Sequence, residues 1–213
     1  MPIATRKFMK RAFTTIELIF VIVVIGILAA VIIPRFHADR LRNAANHILT
    51  YIRYTQHLAM IDDRFQPNKD GWYKERWRIS FRDCKGTSNH QKYFVIYRDL
   101  NKRGEVDKNE SAINELDKKY LYNDGSCNVQ SDESEAVLLG KKFGINDLNF
   151  SGGCRKNQYI GFDEIGRPYN DLYHHEYSPI RSDCLITFSN DEGSFTITIT
   201  KETGYSYISS MTP

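Results

Sequence analysis

The feature that most constrains this chain is a continuous apolar stretch close to its beginning, residues 13–33. These 21 residues contain no Lys, Arg, Asp or His, and Glu17 is their single ionisable residue. In a helix, about 20 apolar residues cover the roughly 30 Å hydrocarbon core of a bilayer. The stretch therefore predicts a transmembrane helix. Glu17 predicts a partner group, because a lone carboxylate in apolar surroundings is costly.

Positive charge is concentrated ahead of this stretch. The whole chain has 29 basic and 26 acidic residues, and residues 1–12 contain four basic residues and no acidic one. The remainder is therefore almost neutral, which argues against a nucleic-acid footprint over the whole domain. The basic first flank favours a cytoplasmic N-terminus, although Arg35, Arg40 and Arg42 after the stretch oppose the positive-inside rule.

Beyond Pro34 the pattern changes to that of an amphipathic helix. Apolar residues recur at spacings of three, four and five, which predicts a continuing helix with one buried stripe to about residue 62. Pro34 is expected to kink this helix rather than end it. The stripe consists of Phe36, Leu41, Ala44, Ala45, Ile48, Ile52, Thr55 and Ala59.

The later part of the chain is rich in strand patterns, and strands are predicted at residues 77–81, 92–99, 159–163, 184–189, 194–200 and 205–209. The last three are joined by NDEG and KETG turns, which predicts an antiparallel meander. Residues 116–122 and 136–143 fit either strands or short helices. The expected fold class is α+β, with a long N-terminal α-helix, transmembrane and then amphipathic, packed on an antiparallel β-sheet.

All four cysteines, Cys84, Cys127, Cys154 and Cys184, follow the apolar stretch. None forms a CxxC or another zinc spacing, which argues against a thiolate metal site. An even number beyond a membrane segment predicts two disulfides in an oxidising compartment. Of the three possible connectivities we prefer the sequential one, Cys84–Cys127 and Cys154–Cys184, and four buried thiols are the alternative.

The segment RAFTTIELIFVIVVIGILAAVIIPRF combines a basic leader, a small residue, an aromatic residue, a Glu four places later and a Pro that ends the apolar run. It resembles the class III signal and N-terminal helix of type IV pilins and type II secretion pseudopilins. The resemblance implies cleavage by a prepilin peptidase between Ala12 and Phe13, and methylation of the new Phe13 amine. The family usually has Gly at the position of Ala12, which implies slower cleavage here. An ordinary secretory signal cut near Ala29 or Ala30 is the alternative.

The same resemblance implies a pilin-like fold and a structural role in a filament. Glu17 would pair with the Phe13 amine of a neighbouring subunit and set the axial register. The implied partners are other pilin or pseudopilin subunits, the prepilin peptidase, an inner-membrane assembly platform and membrane lipid. The implied location is the bacterial inner membrane, single-pass, with a periplasmic C-terminal domain, and a filament after assembly. A single-span membrane-anchored periplasmic protein, with Glu17 reaching the membrane interface, is an alternative.

These inferences divide the chain into four parts. They are a leader peptide of residues 1–12, a transmembrane helix of residues 13–33, an amphipathic extension of residues 34–62 and a periplasmic globular domain of residues 63–213. Near the end, IGFDEIGRPY followed by a strand pair and ITITKETGY resembles the minor pseudopilin and FimT-like subgroup, in which an F-D-x-x-G-R-P turn precedes the final hairpins. The choice between a secretion pseudopilus and a type IV pilus stays open. A FimT-like minor pilin in DNA uptake would need a basic stripe, whereas Lys and Arg are scattered among acids.

One loop has the spacing of a calcium site. Asp99, Asn101, Gly104, Asp107 and Glu110 occupy the first, third, sixth, ninth and twelfth positions of an EF-hand pattern. Arg103 stands at the fifth position, where an oxygen ligand is expected, and a strand precedes the loop, so an EF-hand proper is not expected. The alternatives are a looser structural Ca²⁺ loop and a solvated acidic turn. The candidate ligands are Asp99, Asn101, Glu105, Asp107 and Glu110, and no other cofactor is implied.

No catalytic constellation stands out. His174 and His175 precede Glu176 without an HExxH pattern, and no Ser or Cys nucleophile motif is present. Exposed loop histidines are the expectation, and the chain is not predicted to be an enzyme. Trp72, Trp77 and the tyrosines fit either a sugar- or partner-binding surface or half-buried positions of a sheet.

Overall fold

The computed structural model describes residues 14–86 and 91–212, and residues 30–39 without their side chains. The chain divides into two compact units, Met1–Asp39 and Arg40–Pro213. Among the described residues the helices and strands are α1 (Thr15–Ile61), β1 (Arg78–Asp83), β2 (Lys92–Tyr97), α2 (Leu139–Phe143), β3 (Asp147–Gly152), β4 (Tyr159–Phe162), β5 (Pro168–Tyr169), β6 (Cys184–Asn190), β7 (Gly193–Ile199) and β8 (Ser206–Thr212).

Helix α1 begins at a capping residue. Thr14 stands immediately before the helix, and its Oγ1 accepts a hydrogen bond from the backbone N–H of Glu17 at 3.4 Å. Thr followed three residues later by Glu is the sequence of a capping box, in which side chains satisfy N–H groups of the first turn. The helical backbone then continues through Pro34 as far as Ile61.

In the second unit, α1 buries the stripe that its residue spacing predicts. Every predicted stripe residue from position 41 onward is at most 4% exposed. The helix also donates hydrogen bonds to late parts of the chain. Arg53 Nη2 donates to the carbonyl oxygen of Ser206 at 2.6 Å, and Gln56 Nε2 donates to the carbonyls of Gly166 and Thr203 at 2.9 and 2.8 Å. This part of α1 is therefore integrated into the core of the unit.

The strands form two antiparallel sheets of four strands each. The first has the order β2-β1-β4-β5, and the second has the order β3-β6-β7-β8. The six segments predicted as strands all contain strands, and β6, β7 and β8 form the predicted meander. Strand β3 was not predicted. It lies at a sheet edge with exposed or half-buried residues, and its sequence, DLNFSG, alternates only two apolar residues, Leu148 and Phe150, with polar ones.

Aromatic side chains from both sheets meet in one core. The ring of Phe81 on β1 lies 5.2 Å from that of Phe188 on β6 and 6.1 Å from that of Phe150 on β3. Phe81 and Phe188 are both fully buried. Edge-to-face and tilted ring contacts at these distances add to the stabilisation from burial alone. The two sheets therefore share a continuous hydrophobic core with α1 of the same unit.

Two disulfides cross-link the second unit. Cys84 is bonded to Cys127, and Cys154 is bonded to Cys184. This is the sequential connectivity preferred from the sequence. Of the two segments left open, residues 116–122 contain the end of a turn and isolated β-bridges at Tyr120. Residues 136–143 are covered by two short helices, the 3₁₀ helix Glu135–Val137 and α2.

The predicted architecture needs correction, although the class is α+β. The prediction of a long apolar N-terminal helix packed on one antiparallel sheet is wrong, so the chain does not have the predicted pilin-like arrangement. The strands divide between two sheets because β3 pairs with β6 instead of joining β1 or β4. The core is filled by the α1 stripe from residue 41 onward, and no residue of 16–28 belongs to it.

The predicted localisation is also wrong. Within residues 14–86 and 91–212, no helix combines the length and the apolarity that crossing a bilayer requires. The single-pass inner-membrane assignment, with its transmembrane helix at residues 13–33, is therefore withdrawn.

Candidate functional site

The first unit carries an exposed apolar helix. Along its described part, large apolar side chains are between 36% and 76% exposed. We call these residues the apolar helix surface: Ile16, Leu18, Ile19, Phe20, Val21, Ile22, Val23, Val24, Ile25, Ile27 and Leu28. Monomeric proteins rarely expose contiguous apolar area on this scale, and large patches mark interaction sites.

The apolar helix surface extends around the whole helix. Consecutive residues of an α-helix are rotated by about 100°, so the unbroken run of positions 18–25 places apolar side chains on every side. An ordinary surface helix instead has one apolar stripe and a polar opposite face. A single flat partner would therefore cover only part of this surface.

Glu17 lies at the N-terminal end of the apolar helix surface. It is exposed and stands in the first turn, where a negative charge interacts favourably with the helix dipole. Its predicted partner, the amine of Phe13, lies outside the described residues, as does Ala12 of the predicted cleavage site. The backbone of Pro34 is helical, and its side chain is outside the described set.

Gly26 interrupts the large side chains of this surface. A Cβ placed on Gly26 would meet no described atom within 4 Å. Gly costs roughly 1 kcal/mol relative to Ala in a helix interior, so its presence in an open position weakens α1 locally. Its absent side chain leaves a shallow notch where the backbone of a second helix could approach closely.

The second candidate is the loop of residues 99–110, called here the acidic loop. It follows β2 and brings together the carboxylates of Asp99 and Glu110, which are 0% and 8% exposed. Asp99 Oδ2 accepts from the Gly104 N–H at 2.9 Å, and Glu110 Oε1 accepts from the Asn101 N–H at 2.9 Å. The second oxygens, Asp99 Oδ1 and Glu110 Oε2, are buried and accept no hydrogen bond from any described residue.

The other predicted ligands of the acidic loop are less buried. Asn101 Nδ2 donates to Asp107 Oδ2 at 2.7 Å, Asn101 Oδ1 accepts from the Arg103 N–H at 2.9 Å, and Glu105 is exposed. Burial raises the pKa of the Glu110 carboxyl above its ordinary value. The Asn101 N–H opposes this rise, and the charges of Asp99 and Asp107 add to it.

The arrangement falls short of a formed three-acid metal site. Across the described parts of the chain, no group of three or more His, Cys, Asp or Glu side chains could hold a metal ion. The acidic loop offers two buried carboxylates rather than three. The calcium prediction therefore depends on these two groups and on neutral oxygens of the loop.

The histidines and tryptophans have structural contacts instead of forming a cluster. His174 and His175 are exposed, and His174 Nδ1 lies 2.9 Å from Asp171 Oδ1. Trp72 and Trp77 are only 2% and 8% exposed, so the alternative of a tryptophan-lined binding surface is wrong. Trp72 Nε1 donates to Glu176 Oε1 at 2.8 Å and Trp77 Nε1 donates to Asp62 Oδ2 at 3.0 Å, as buried indoles require.

Two buried arginines were not anticipated from the sequence. Arg78 is fully buried, and its guanidinium lies over the rings of Tyr97 and Tyr173 at 5.3 and 5.0 Å. Arg76 lies 4.4 Å from the ring of Tyr169. Cation–π contacts and donation to backbone carbonyls accommodate these charges, which gives them a packing role. The sequence gives only indirect signals for these contacts. The two arginines stand next to or at the start of a predicted strand, and tyrosines are frequent elsewhere in the chain.

The FDEIGRPY segment forms a turn organised by Asp163, which is fully buried. Asp163 Oδ1 accepts from the N–H groups of Ile165 and Arg167 at 3.2 and 2.8 Å, and Oδ2 accepts from Tyr169 Oη at 3.2 Å. Gly166 has φ +85°, a conformation that favours glycine. The residues of this motif therefore stabilise a turn next to β4 and β5.

Comparison with known proteins gives no assignment. No known family, curated protein or solved structure matches this chain significantly.

Proposed function

We propose that this chain is a structural subunit of a filament, of the kind formed by type IV pilins or type II secretion pseudopilins, and that it assembles through its N-terminal helix. The observation that carries the proposal is the exposed apolar helix surface of the first unit. The resemblance of the N-terminal segment to class III signals supports the same function.

The encircling distribution of apolar side chains favours many neighbours over one. Covering a half-exposed Ile, Leu, Val or Phe gains about 1 kcal/mol, so the eleven residues of this surface together provide a strong driving force. One helix packed against another buries a stripe, and complete cover needs several helices around the first. A helical array of like subunits supplies neighbours on every side.

Glu17 would give this array its register. After cleavage between Ala12 and Phe13, the new amine of one subunit would pair with the Glu17 carboxylate of the next. An apolar contact tolerates sliding, whereas a buried acid without its partner is strongly penalised. The pair would therefore select one axial offset between subunits, and the apolar residues would supply the attraction.

Processing is tested by mass spectrometry of the chain after co-expression with a prepilin peptidase. The expected mature chain begins at Phe13 and is heavier by one methyl group at its amine. A chain that retains Met1, with the peptidase shown to be active on a known substrate, would contradict the proposal.

Assembly is tested by photo-crosslinking. A benzoyl-phenylalanine in place of Ile22 should give a ladder of multimers, whereas the same group in place of the exposed Tyr177 of the second unit should give much less. Glu17→Ala should reduce the ladder at least about tenfold, the effect of an unpaired buried charge worth 1.4 kcal/mol or more. The control Glu202→Ala removes an acid whose side chain is 79% exposed and should leave the ladder unchanged. Equal ladders for the Glu17 and Glu202 variants would refute the register role.

A further inference from the structure

The acidic loop contains an electrostatic conflict that its own contacts do not resolve. Asp99 and Glu110 are both at least nine-tenths buried, and each directs one carboxylate oxygen to a backbone N–H of the loop. The remaining oxygens, Asp99 Oδ1 and Glu110 Oε2, are buried with no hydrogen-bond donor among the described residues. Buried charges are normally paired, hydrogen-bonded or bound to a metal, because an isolated one is very costly.

The nearby cationic side chains serve other groups. Lys102 Nζ donates to the carbonyl oxygen of Asp70, and Lys108 Nζ lies 2.8 Å from Glu133 Oε1. Arg98 donates to Asp62. Within the described residues, no Lys or Arg forms an ion pair with Asp99 or Glu110. Neutralisation therefore has to come from a bound cation or from a proton.

We propose that the acidic loop binds one calcium ion between Asp99 Oδ1 and Glu110 Oε2. Calcium is a hard cation that takes six to eight oxygens in adaptable geometry, so two carboxylates can be completed by loop oxygens and water. The two residues are the first and twelfth of the loop, and a sharp turn between them folds the chain back. Lys102 and Gly104 in this turn have φ values of 59° and 79°.

The site is expected to be weak. Two carboxylates give less charge than the three or more acids of high-affinity loops, and Arg103 replaces an oxygen ligand within the loop. Extracellular calcium modules with few acidic ligands have dissociation constants of about 10⁻⁴–10⁻³ M. The ion would fix the acidic loop to the end of β2, and the loop contacts Tyr173, whose Oη lies 3.4 Å from the Gly104 carbonyl oxygen.

The test uses the full chain with its disulfides intact, held in a mild detergent and freed of metal by a chelator. Calcium chloride is titrated while the thermal unfolding midpoint is followed by circular dichroism. A ligand bound only by the folded chain should raise the midpoint by about 5–10 °C at a concentration of about 100 times its dissociation constant. Equilibrium dialysis with radioactive calcium should give one ion per chain. Magnesium chloride at the same concentration should give a much smaller rise, because Mg²⁺ demands strict octahedral geometry.

Two isosteric variants locate the ion. Asp99→Asn and Glu110→Gln should each abolish most of the calcium-dependent rise. Their midpoints without calcium should stay equal to that of the wild type or exceed it, because each variant removes one of two unpaired buried charges. The matched control is Glu105→Gln, which removes one exposed charge from the same loop and should keep the full calcium response.

The contrary results are distinct. No calcium bound in dialysis and no rise in the wild-type midpoint would overturn the proposal and would leave a shared proton as the solution of the conflict. An equal rise with magnesium would overturn the assignment to calcium. An equal loss of response in Glu105→Gln would show diffuse attraction to the loop. Should both site variants fail to fold, the dialysis stoichiometry of the wild type still decides. None of these outcomes tests the proposed filament assembly, which is attributed to the N-terminal helix.

Discussion

Asp163 and Arg167 are joined by two hydrogen bonds across a four-residue turn. The Asp163 carboxylate accepts from the Arg167 backbone N–H and from its Nε, both at 2.8 Å. The carboxylate is fully buried, while the Arg167 side chain is 39% exposed. The pair therefore stabilises the turn from its buried side. Because the Asp163 carboxylate is out of contact with water, water cannot compensate its negative charge.

Asp163→Asn tests this closure. The amide keeps the shape of the side chain, but it replaces one acceptor oxygen by a donor that faces Arg167 and Tyr169. We expect the free energy of unfolding to fall by about 2–4 kcal/mol, measured by urea denaturation. The control Glu202→Gln, on an exposed acid, should change it by less than about 0.5 kcal/mol.

Protonation of Asp171 should lower the free energy of unfolding at acidic pH. Burial raises the pKa of Asp171, but hydrogen bonds from Lys156 and His174 outweigh it and lower the pKa from 3.8 to about 2. A lowered folded pKa means that its stabilisation is complete above about pH 4 and is lost as the pH falls towards 2. The difference in unfolding free energy between wild type and Asp171→Asn should be about 1–2 kcal/mol at pH 5 after allowance for solvent screening. It should approach zero near pH 2. A difference that is constant over this range would contradict the assignment.

The two disulfides should contribute unequally. The sequence separations of 43 and 30 residues predict nearly equal entropic stabilisation, about 4 and 3.7 kcal/mol. Cys154 and Cys184 are fully buried, whereas Cys127 is half-buried. Replacing Cys154 and Cys184 together by Ala should therefore cost more than replacing Cys84 and Cys127, because a cavity adds to the lost cross-link. Chemical denaturation of the two double variants measures the order, and the reverse order would contradict it.

Gly161 on β4 is a site of close packing. A Cβ there would lie 2.4 Å from Leu172 Cδ1 and 3.2 Å from the Trp77 carbonyl oxygen. Gly161→Ala should destabilise the chain by about 1–3 kcal/mol through overpacking. In a Leu172→Ala background the same change should cost less, since the clashing methyl group is gone. An unchanged cost in the double-mutant cycle would place the strain elsewhere.

The sequence was informative where a periodic pattern coincided with burial. The spacing of residues 41–59 predicted the buried stripe of α1, and strand alternation predicted β7 and its neighbours. It failed where tertiary contacts decide. Strand β3 is a half-exposed edge strand with only two apolar residues, Leu148 and Phe150, and the division into two sheets depends on which strand β6 pairs with.

For the candidate sites, too, the sequence predicted some features and only the structure showed others. Spacing placed Asp99 and Glu110 in one loop, but only the structure shows that both are buried with an unpaired oxygen each. The F-D-x-x-G-R-P pattern was visible as a motif, while the four bonds accepted by Asp163 required coordinates. Trp72 and Trp77 were ambiguous because amphipathic rings suit both surfaces and cores.

The bonds from Arg53 and Gln56 to carbonyls of Gly166, Thr203 and Ser206 have a consequence for biosynthesis. A ribosome that adds about 5–20 residues per second needs on the order of 10 s to progress from the end of α1 to these acceptors. Throughout that interval the apolar stripe of α1 lacks the later residues that bury it in the folded unit. The nascent chain should therefore depend on a holding chaperone until translation is almost complete.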